Sequence, residues 1–276
     1  MLILGLNKTT LLDYPEHVAA TIFTGGCNLR CPFCHNRDLV FARESIDAGI
    51  ITPYSEDEIL SFLKKRRGIL TGVCITGGEP TLHQDLPLFL SRIKELGMLV
   101  KLDTNGFCPD VLHHLLDEKL IDYCAIDIKN SPAHYAATVG LSSIDLGLLR
   151  ESVDCLLSLN GSFPYEFRTT IVKELHSEED MYAIREWIAG ADQYFLQSYT
   201  TLTRSFHQDT TPMIQIHYSI LPLSADRLSP MYSFVGLICN SDIDLLHIIA
   251  KASCISPPVI PIYQSGFPIF KAFKSK

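Results

Sequence analysis

The last 90 of the 276 residues contain no glutamate, whereas the first 186 contain thirteen. A break of that kind sets the region after about Ser198 apart from what precedes it. Residues 198–276 hold seven of the fifteen prolines and many serines, with apolar runs such as Phe234–Cys239 and Leu245–Ala250 that have weak helix caps. The chain also lacks any apolar run of the roughly 18 residues that a membrane-spanning helix needs. Met1-Leu2-Ile3-Leu4-Gly5-Leu6 is too short for a secretory signal and has no basic start, so a cytoplasmic chain with no membrane partner is expected. Basic residues are outnumbered, with 23 Lys and Arg against 31 Asp and Glu. The resulting net charge of −8 argues against a nucleic-acid partner bound through phosphate contacts, and leaves protein partners open.

Cysteine is not scarce. Nine occur, and in a cytoplasmic chain they are read as metal ligands, reactive thiols or buried small hydrophobes before disulfides. With 47% apolar residues the chain can form one large domain or two small ones without a disulfide framework.

Between residues 17 and 198, short β-branched runs alternate with longer amphipathic stretches, the pattern of a parallel sheet covered by helices. Six strands are expected, at His17–Thr24, Ile69–Thr76, Met98–Leu102, Ile121–Ile128, Tyr165–Val172 and Gln193–Ser198. Ser55 with Glu58 forms a capping box ahead of Ile59, Leu60, Phe62 and Leu63, and Gly68 is placed as its C′ glycine. Asp85 opens a second helix that Gly97 closes, and Ser177 with Asp180 opens another. The fold class is α/β, and six βα units over residues 1–198 fit a partial (βα)6 TIM-like barrel better than a flat doubly wound sheet if the catalytic groups converge at the strand C-termini. The atypical segment 199–276 is expected to be poorly ordered.

Directly after the first expected strand comes Gly25-Gly26-Cys27-Asn28-Leu29-Arg30-Cys31-Pro32-Phe33-Cys34-His35, with thiols spaced by four and three. A structural zinc site wants four protein ligands, whereas a [4Fe–4S] cubane held by three thiolates keeps one iron open for a small molecule. Zinc held by Cys27, Cys31, Cys34 and His35 is a second reading, in which adjacent Cys34 and His35 have difficulty reaching one ion. Haem attachment at Cys31-Pro32-Phe33-Cys34-His35 is a third; it requires export and leaves Cys27 unexplained.

C-x-x-x-C-x-aromatic-C after the first strand of a β/α chain resembles the signature of radical S-adenosylmethionine enzymes, with Phe33 at the aromatic position. Gly77-Gly78-Glu79-Pro80 after the second strand is similar to that family's GGEP segment. Softer matches run through Leu6–Pro15, Cys34-His35-Asn36, Ile75–Leu82, Lys101-Leu102-Asp103-Thr104-Asn105-Gly106, Asp127-Ile128-Lys129 and Glu166–Thr170. Over residues 4 to 198 these resemble the activating proteins of anaerobic ribonucleoside-triphosphate reductase.

The resemblance implies that Cys27, Cys31 and Cys34 ligate a [4Fe–4S] cluster whose fourth iron chelates S-adenosylmethionine. Reductive cleavage then yields methionine and a 5′-deoxyadenosyl radical. Phe33 is placed near the adenine, with loop packing as the alternative. Gly77 and Gly78 offer carbonyls to the cofactor's ammonium, unless a tight turn alone demands them. Glu79 is expected to order the turn, with contact to the cofactor's ammonium as the alternative. Asp103, Thr104, Asn105 and Asp127 on the strand ends suit ribose hydroxyls or a monovalent cation, Lys129 suits the cofactor's carboxylate, and Arg168 is read as an interior group facing the cofactor or a carboxylate. A salt-bridge network on the rim is the bland alternative for this set. Cys74, Cys108, Cys124 and Cys155 stand singly and are read as packing groups.

The implied partners are a large glycyl-radical reductase subunit, whose glycine Cα–H is the substrate, and a flavodoxin- or ferredoxin-type electron donor. No second C-x-x-C ferredoxin-like insert occurs, which favours the reductase activator over other glycyl-radical activases. A small-molecule substrate, another glycyl-radical enzyme, or a zinc scaffold without catalysis are the competing readings. The resemblance stops where Tyr199-Thr200-Thr201-Leu202 opens the glutamate-free run, read as a lineage-specific extension or a shifted reading frame.

Overall fold

A computed structural model of the protein describes residues 1–199 and two short strands, Ile262–Gln264 and Phe267–Ile269. The expectation about residues 200–276 otherwise lies outside the described residues. In chain order the elements are β1 (Ile3–Thr10), β2 (Ala19–Thr24), α1 (Arg37–Val40), α2 (Ala42–Asp47), α3 (Glu56–Lys65), β3 (Gly72–Gly77), a 3-10 turn (Pro80–Leu82), α4 (Leu86–Glu95), β4 (Leu99–Thr104), α5 (Pro109–Asp117), β5 (Tyr123–Asp127), α6 (Tyr135–Thr138), α7 (Leu146–Ser158), β6 (Tyr165–Ile171), α8 (Glu178–Trp187) and β7 (Tyr194–Ser198). The pair β8 (Ile262–Gln264) and β9 (Phe267–Ile269) is antiparallel. Among the described residues no helix is long and apolar enough to cross a membrane.

The chain forms two compact units. The first comprises Met1–Asp127 and Ala136–Tyr165, and carries β1 to β5 side by side in chain order. Strands β2 to β5 are parallel, as the alternating pattern requires. Strand β1 is an antiparallel edge that sequence reasoning missed, and it leaves the sheet open rather than closed. Its apolar start, Ile3-Leu4-Gly5-Leu6, gives way to exposed Asn7, Lys8 and Thr9, so only half of β1 reads as a strand. The second unit holds Ile128–Tyr135 and the chain from Glu166 onward, where β6 and β7 pair in parallel and α8 lies between them in sequence.

Helix signals in the sequence correspond to physical caps. Ser55 Oγ accepts from the Glu58 amide at 3.2 Å and Glu58 returns a carboxylate to the Ser55 amide at 2.7 Å, while Lys64 and Lys65 sit in the last turn of α3, where the dipole favours them. Gly68 comes two residues after the Arg66 cap, one position later than expected, in the left-handed region. Gly97 follows the α4 cap as expected. Asp85 does begin α4, but its carboxylate pairs with the Met1 ammonium instead of capping. One face of the first unit's sheet buries Val73, Ile75, Val100, Leu102 and Cys124, with Phe89 and Ile93 of α4, Leu112 and Leu115 of α5, and Leu149 and Val153 of α7 also fully withdrawn from water. Each such side chain contributes about 1.5–3 kcal/mol. The opposite face carries Thr21, Cys74, Lys101 and Tyr123 at one level of the parallel register.

Candidate active site

The three clustered cysteines lie on the loop that follows β2 and are half-buried. That loop is pinned by backbone to the turn after β3. The Gly78 amide donates to Thr24 O at 2.8 Å and the Glu79 amide to Gly26 O at 2.7 Å. The approach is so close that a Cβ on Gly78 would lie 1.9 Å from Gly26 O. Gly77 adopts φ +116°, and a Cβ there would meet Thr24 N at 2.4 Å. Both glycines are therefore demanded by contact between the two loops. The Gly77 carbonyl also accepts from Asn36 Nδ2 at 3.4 Å, and His83 Nε2 lies 3.0 Å from Gly25 O, so each end of the cysteine loop is tied to the GGEP turn.

Glu79 locks this turn to the next strand. Its fully buried carboxylate accepts from the Thr81 amide (3.0 Å), Thr81 Oγ1 (2.5 Å), Thr104 Oγ1 (2.7 Å) and the Asn105 amide (2.7 Å). Burial pushes its pKa up, against these four donors, which favour the charged form. Thr104 and Asn105 thus meet Glu79 directly.

Asn105 continues the chain of contacts to the cysteines, with Nδ2 2.6 Å from Asn28 Oδ1 and 3.9 Å from Cys27 Sγ. The Leu29 amide also points at Cys27 Sγ, at 3.4 Å. Amide donors on that sulfur suit a thiolate ligand. Arg30 Nη1 donates to Cys27 O (2.6 Å) and Leu29 O (2.8 Å), and the Arg30 amide to Val139 O, bracing the loop from below. Phe33 is buried.

Among the described residues no three His, Cys, Asp or Glu side chains are gathered around a single-ion position. A cubane binds each thiolate through a different iron, so its ligands need not converge on one point. Three thiols on one braced loop, with N–H groups on Cys27 Sγ, fit such a cluster.

The charged candidates divide between the units. Asp103 and Asp127, both half-buried, belong to the first. Asp103 Oδ1 lies 3.5 Å from Lys101 Nζ, an interior partner to which sequence reasoning assigned no role although both residues occupy one face of β4. Lys129 and Arg168 belong to the second unit. Arg168 is buried and pairs with Glu166 at 3.6 Å, a partner on the same face of β6 that alternation could have supplied. The Lys129 backbone is held on both sides, its amide 3.3 Å from Tyr135 Oη and its carbonyl 2.8 Å from His176 Nε2. An Nε2–H tautomer donates to that carbonyl and leaves Nδ1 to accept from the Val172 amide at 3.1 Å. Asp180 reinforces the same loop, accepting from Ser131 Oγ and lying 2.6 Å from His134 Nδ1 while its other oxygen caps α8 through Ser177. Burial alone pushes Asp180 up, but hydrogen bonds from Ser131, Ser177 and His134 outweigh it and hold its pKa at about 2. Cys74 and Cys124 are buried in strands, and burial raises the half-buried Cys108 and Cys155, which fits the packing roles read for all four.

Comparison with known proteins bears on this arrangement. Residues 21–141, which include the cysteine loop, the GGEP turn and β3 to β5, match the model of the Radical SAM superfamily. A protein of Methanocaldococcus jannaschii, provisionally named glycyl-radical enzyme activating enzyme MJ1227, is 35% identical over 202 residues, covering 72% of this chain and 80% of that one. The 7-carboxy-7-deazaguanine synthase of Thermococcus kodakarensis is 30% identical over 122 residues, 39% of this chain and 47% of that one. In fold, the chain is similar to Streptococcus suis SuiB, solved bound to its precursor peptide SuiA, with a TM-score of 0.50 and 16% identity over 65% of this chain and 38% of that one. The chain belongs to the radical SAM superfamily, among relatives of the glycyl-radical enzyme activating type.

Proposed function

We propose that the chain is an activase that installs a glycyl radical on anaerobic ribonucleoside-triphosphate reductase. The observation that carries the reading is the junction of the cysteine loop with the GGEP turn, where Gly26, Gly78 and Glu79 are in backbone contact and Asn105 reaches Cys27. In this reading Cys27, Cys31 and Cys34 hold a [4Fe–4S] cluster. Together with S-adenosylmethionine, that cluster supplies one-electron reductive cleavage to methionine and a 5′-deoxyadenosyl radical. Glu79, Thr104 and Asn105 fix the pocket wall beside Gly77 and Gly78, Phe33 packs against the adenine side, and Asp103 and Asp127 supply charge for the cofactor's ribose. The partners are a large glycyl-radical reductase subunit and a flavodoxin- or ferredoxin-type donor in the cytoplasm. Identity to a relative named as a glycyl-radical enzyme activating enzyme supports the partner class.

The test is anaerobic incubation of reconstituted chain, reductant, S-adenosylmethionine and the reductase subunit. A glycyl-radical doublet in the EPR spectrum, lost when the reductase glycine is changed to alanine, is the expected result. A second reading, a small-molecule substrate, is favoured by the partial identity to a deazaguanine synthase. S-adenosylmethionine cleavage triggered by a small molecule with no protein partner would select it.

A further inference from the structure

The face of the first unit's sheet that carries Thr21, Cys74 and Tyr123 also carries a lysine. Lys101 is aligned with Cys74 on one side and Tyr123 on the other, and its side chain is 3% exposed. Its Nζ lies 3.5 Å from Asp103 Oδ1 and 5.2 Å from the centre of the Tyr123 ring. Beneath it, Tyr14, Ala19, Tyr123 and Leu99 form an apolar cluster toward the N-terminal strand ends. A buried ammonium is costly unless it is paired, and here a carboxylate two residues along the same strand and an aromatic face together offset that cost. Asp103 is the carboxylate that suited a monovalent cation when the sequence was read alone.

We propose that the Lys101 ammonium is a built-in cation that neutralises Asp103, so that the site takes S-adenosylmethionine without help from Na⁺ or K⁺. The inference rests on the reading that Asp103 belongs to the cofactor site. Inside the unit the local dielectric is low, and a metal ion on Asp103 would meet the ammonium as a like charge at short range. Without a positive neighbour, Asp103 would repel the cofactor's carboxylate. With Lys101 in place the pair is neutral, and the resident charge cannot be diluted away with the buffer salt.

The test is S-adenosylmethionine binding to the anaerobically reconstituted chain by equilibrium dialysis, in Na⁺, in K⁺ and in tetramethylammonium, which is too large to sit on a single interior carboxylate. Wild-type affinity should be the same in all three, and Lys101→Arg should behave alike. Lys101→Met should lose at least about tenfold in tetramethylammonium and recover in Na⁺ or K⁺. A wild-type chain that gains tenfold from Na⁺ or K⁺, or a Lys101→Met chain indifferent to them, would overturn the proposal. Relaxation of ²³Na, measured without S-adenosylmethionine, separates this proposal from the functional reading. Excess relaxation in Lys101→Met but not in wild type supports the built-in cation even if S-adenosylmethionine never binds, in which case the functional reading alone falls. Excess relaxation in wild type, or in neither protein, overturns it.

Discussion

The first unit holds its cysteine loop and the second its Lys129 loop by opposite means. In the first, the cysteine loop and the GGEP turn are joined by backbone, with amides of Gly78 and Glu79 donating to Thr24 and Gly26 and no room for a side chain between them. In the second, the Lys129 loop is held mainly by side chains, namely His176, Asn130, Ser131, His134 and Asp180. Backbone contacts do not titrate and do not tolerate a methyl group. A side-chain latch tolerates volume changes, but it depends on the charge state of its members. The difference teaches where each half is fragile, and substitutions can be chosen to break one mode without the other.

The largest effect is expected from Gly78→Ala. The new Cβ would sit 1.9 Å from a backbone carbonyl that cannot swing away, so the two loops must part. We expect a loss of at least about 3 kcal/mol, read as the urea midpoint, together with iron uptake well below wild type. Next comes Glu79→Gln, which removes the charge that four donors address and presents N–H groups to some of them. A loss of about 2–4 kcal/mol in thermal or urea unfolding is expected.

Asp180→Asn should cost less, about 1–2 kcal/mol, because it weakens a cap and the loop contacts while removing no packed volume. Its pH dependence is the sharper test. The folded pKa of about 2 lies below the ordinary 3.8, so the stability from Asp180 is complete above about pH 4 and is lost as pH falls toward 2. We expect hydrogen exchange at the Asn130 and Ser131 amides to accelerate over that window in wild type and to lose the dependence in Asp180→Asn. The smallest effect belongs to Phe33→Leu, which keeps the buried apolar volume approximately and should cost under about 1.5 kcal/mol. A loss of S-adenosylmethionine affinity with stability unchanged would place the ring against the cofactor rather than in the loop's packing.

Much of this was legible in the sequence because it is local. Strands β2 to β7 announced themselves as short apolar runs, and the caps at Ser55 and Ser177 each involve residues three apart that hydrogen-bond as the motif requires. The cysteine loop was legible for the same reason. Strand β1 was not, because its polar exposed stretch reads as loop until β2 is there to pair with it. Nor was the necessity of Gly78, which depends on a carbonyl 52 positions earlier in the chain. Lys101 shows an intermediate case. Its alternation with Asp103 was visible, but a lysine carries a strong expectation of exposure that only tertiary packing overrides. The Asp180 contacts to Ser131 and His134 join a loop to the first turn of α8 nearly fifty residues away, and no spacing rule links them.

The measurement that bears most directly on the central claim is anaerobic iron and sulfide analysis of the reconstituted chain, with EPR spectra of the reduced protein before and after S-adenosylmethionine. We expect about four irons and four sulfides per chain and a reduced-cluster signal that changes when S-adenosylmethionine is added, with both lost in Cys27→Ser, Cys31→Ser or Cys34→Ser. Bound zinc in place of iron, or a cluster whose spectrum is indifferent to S-adenosylmethionine, would contradict it.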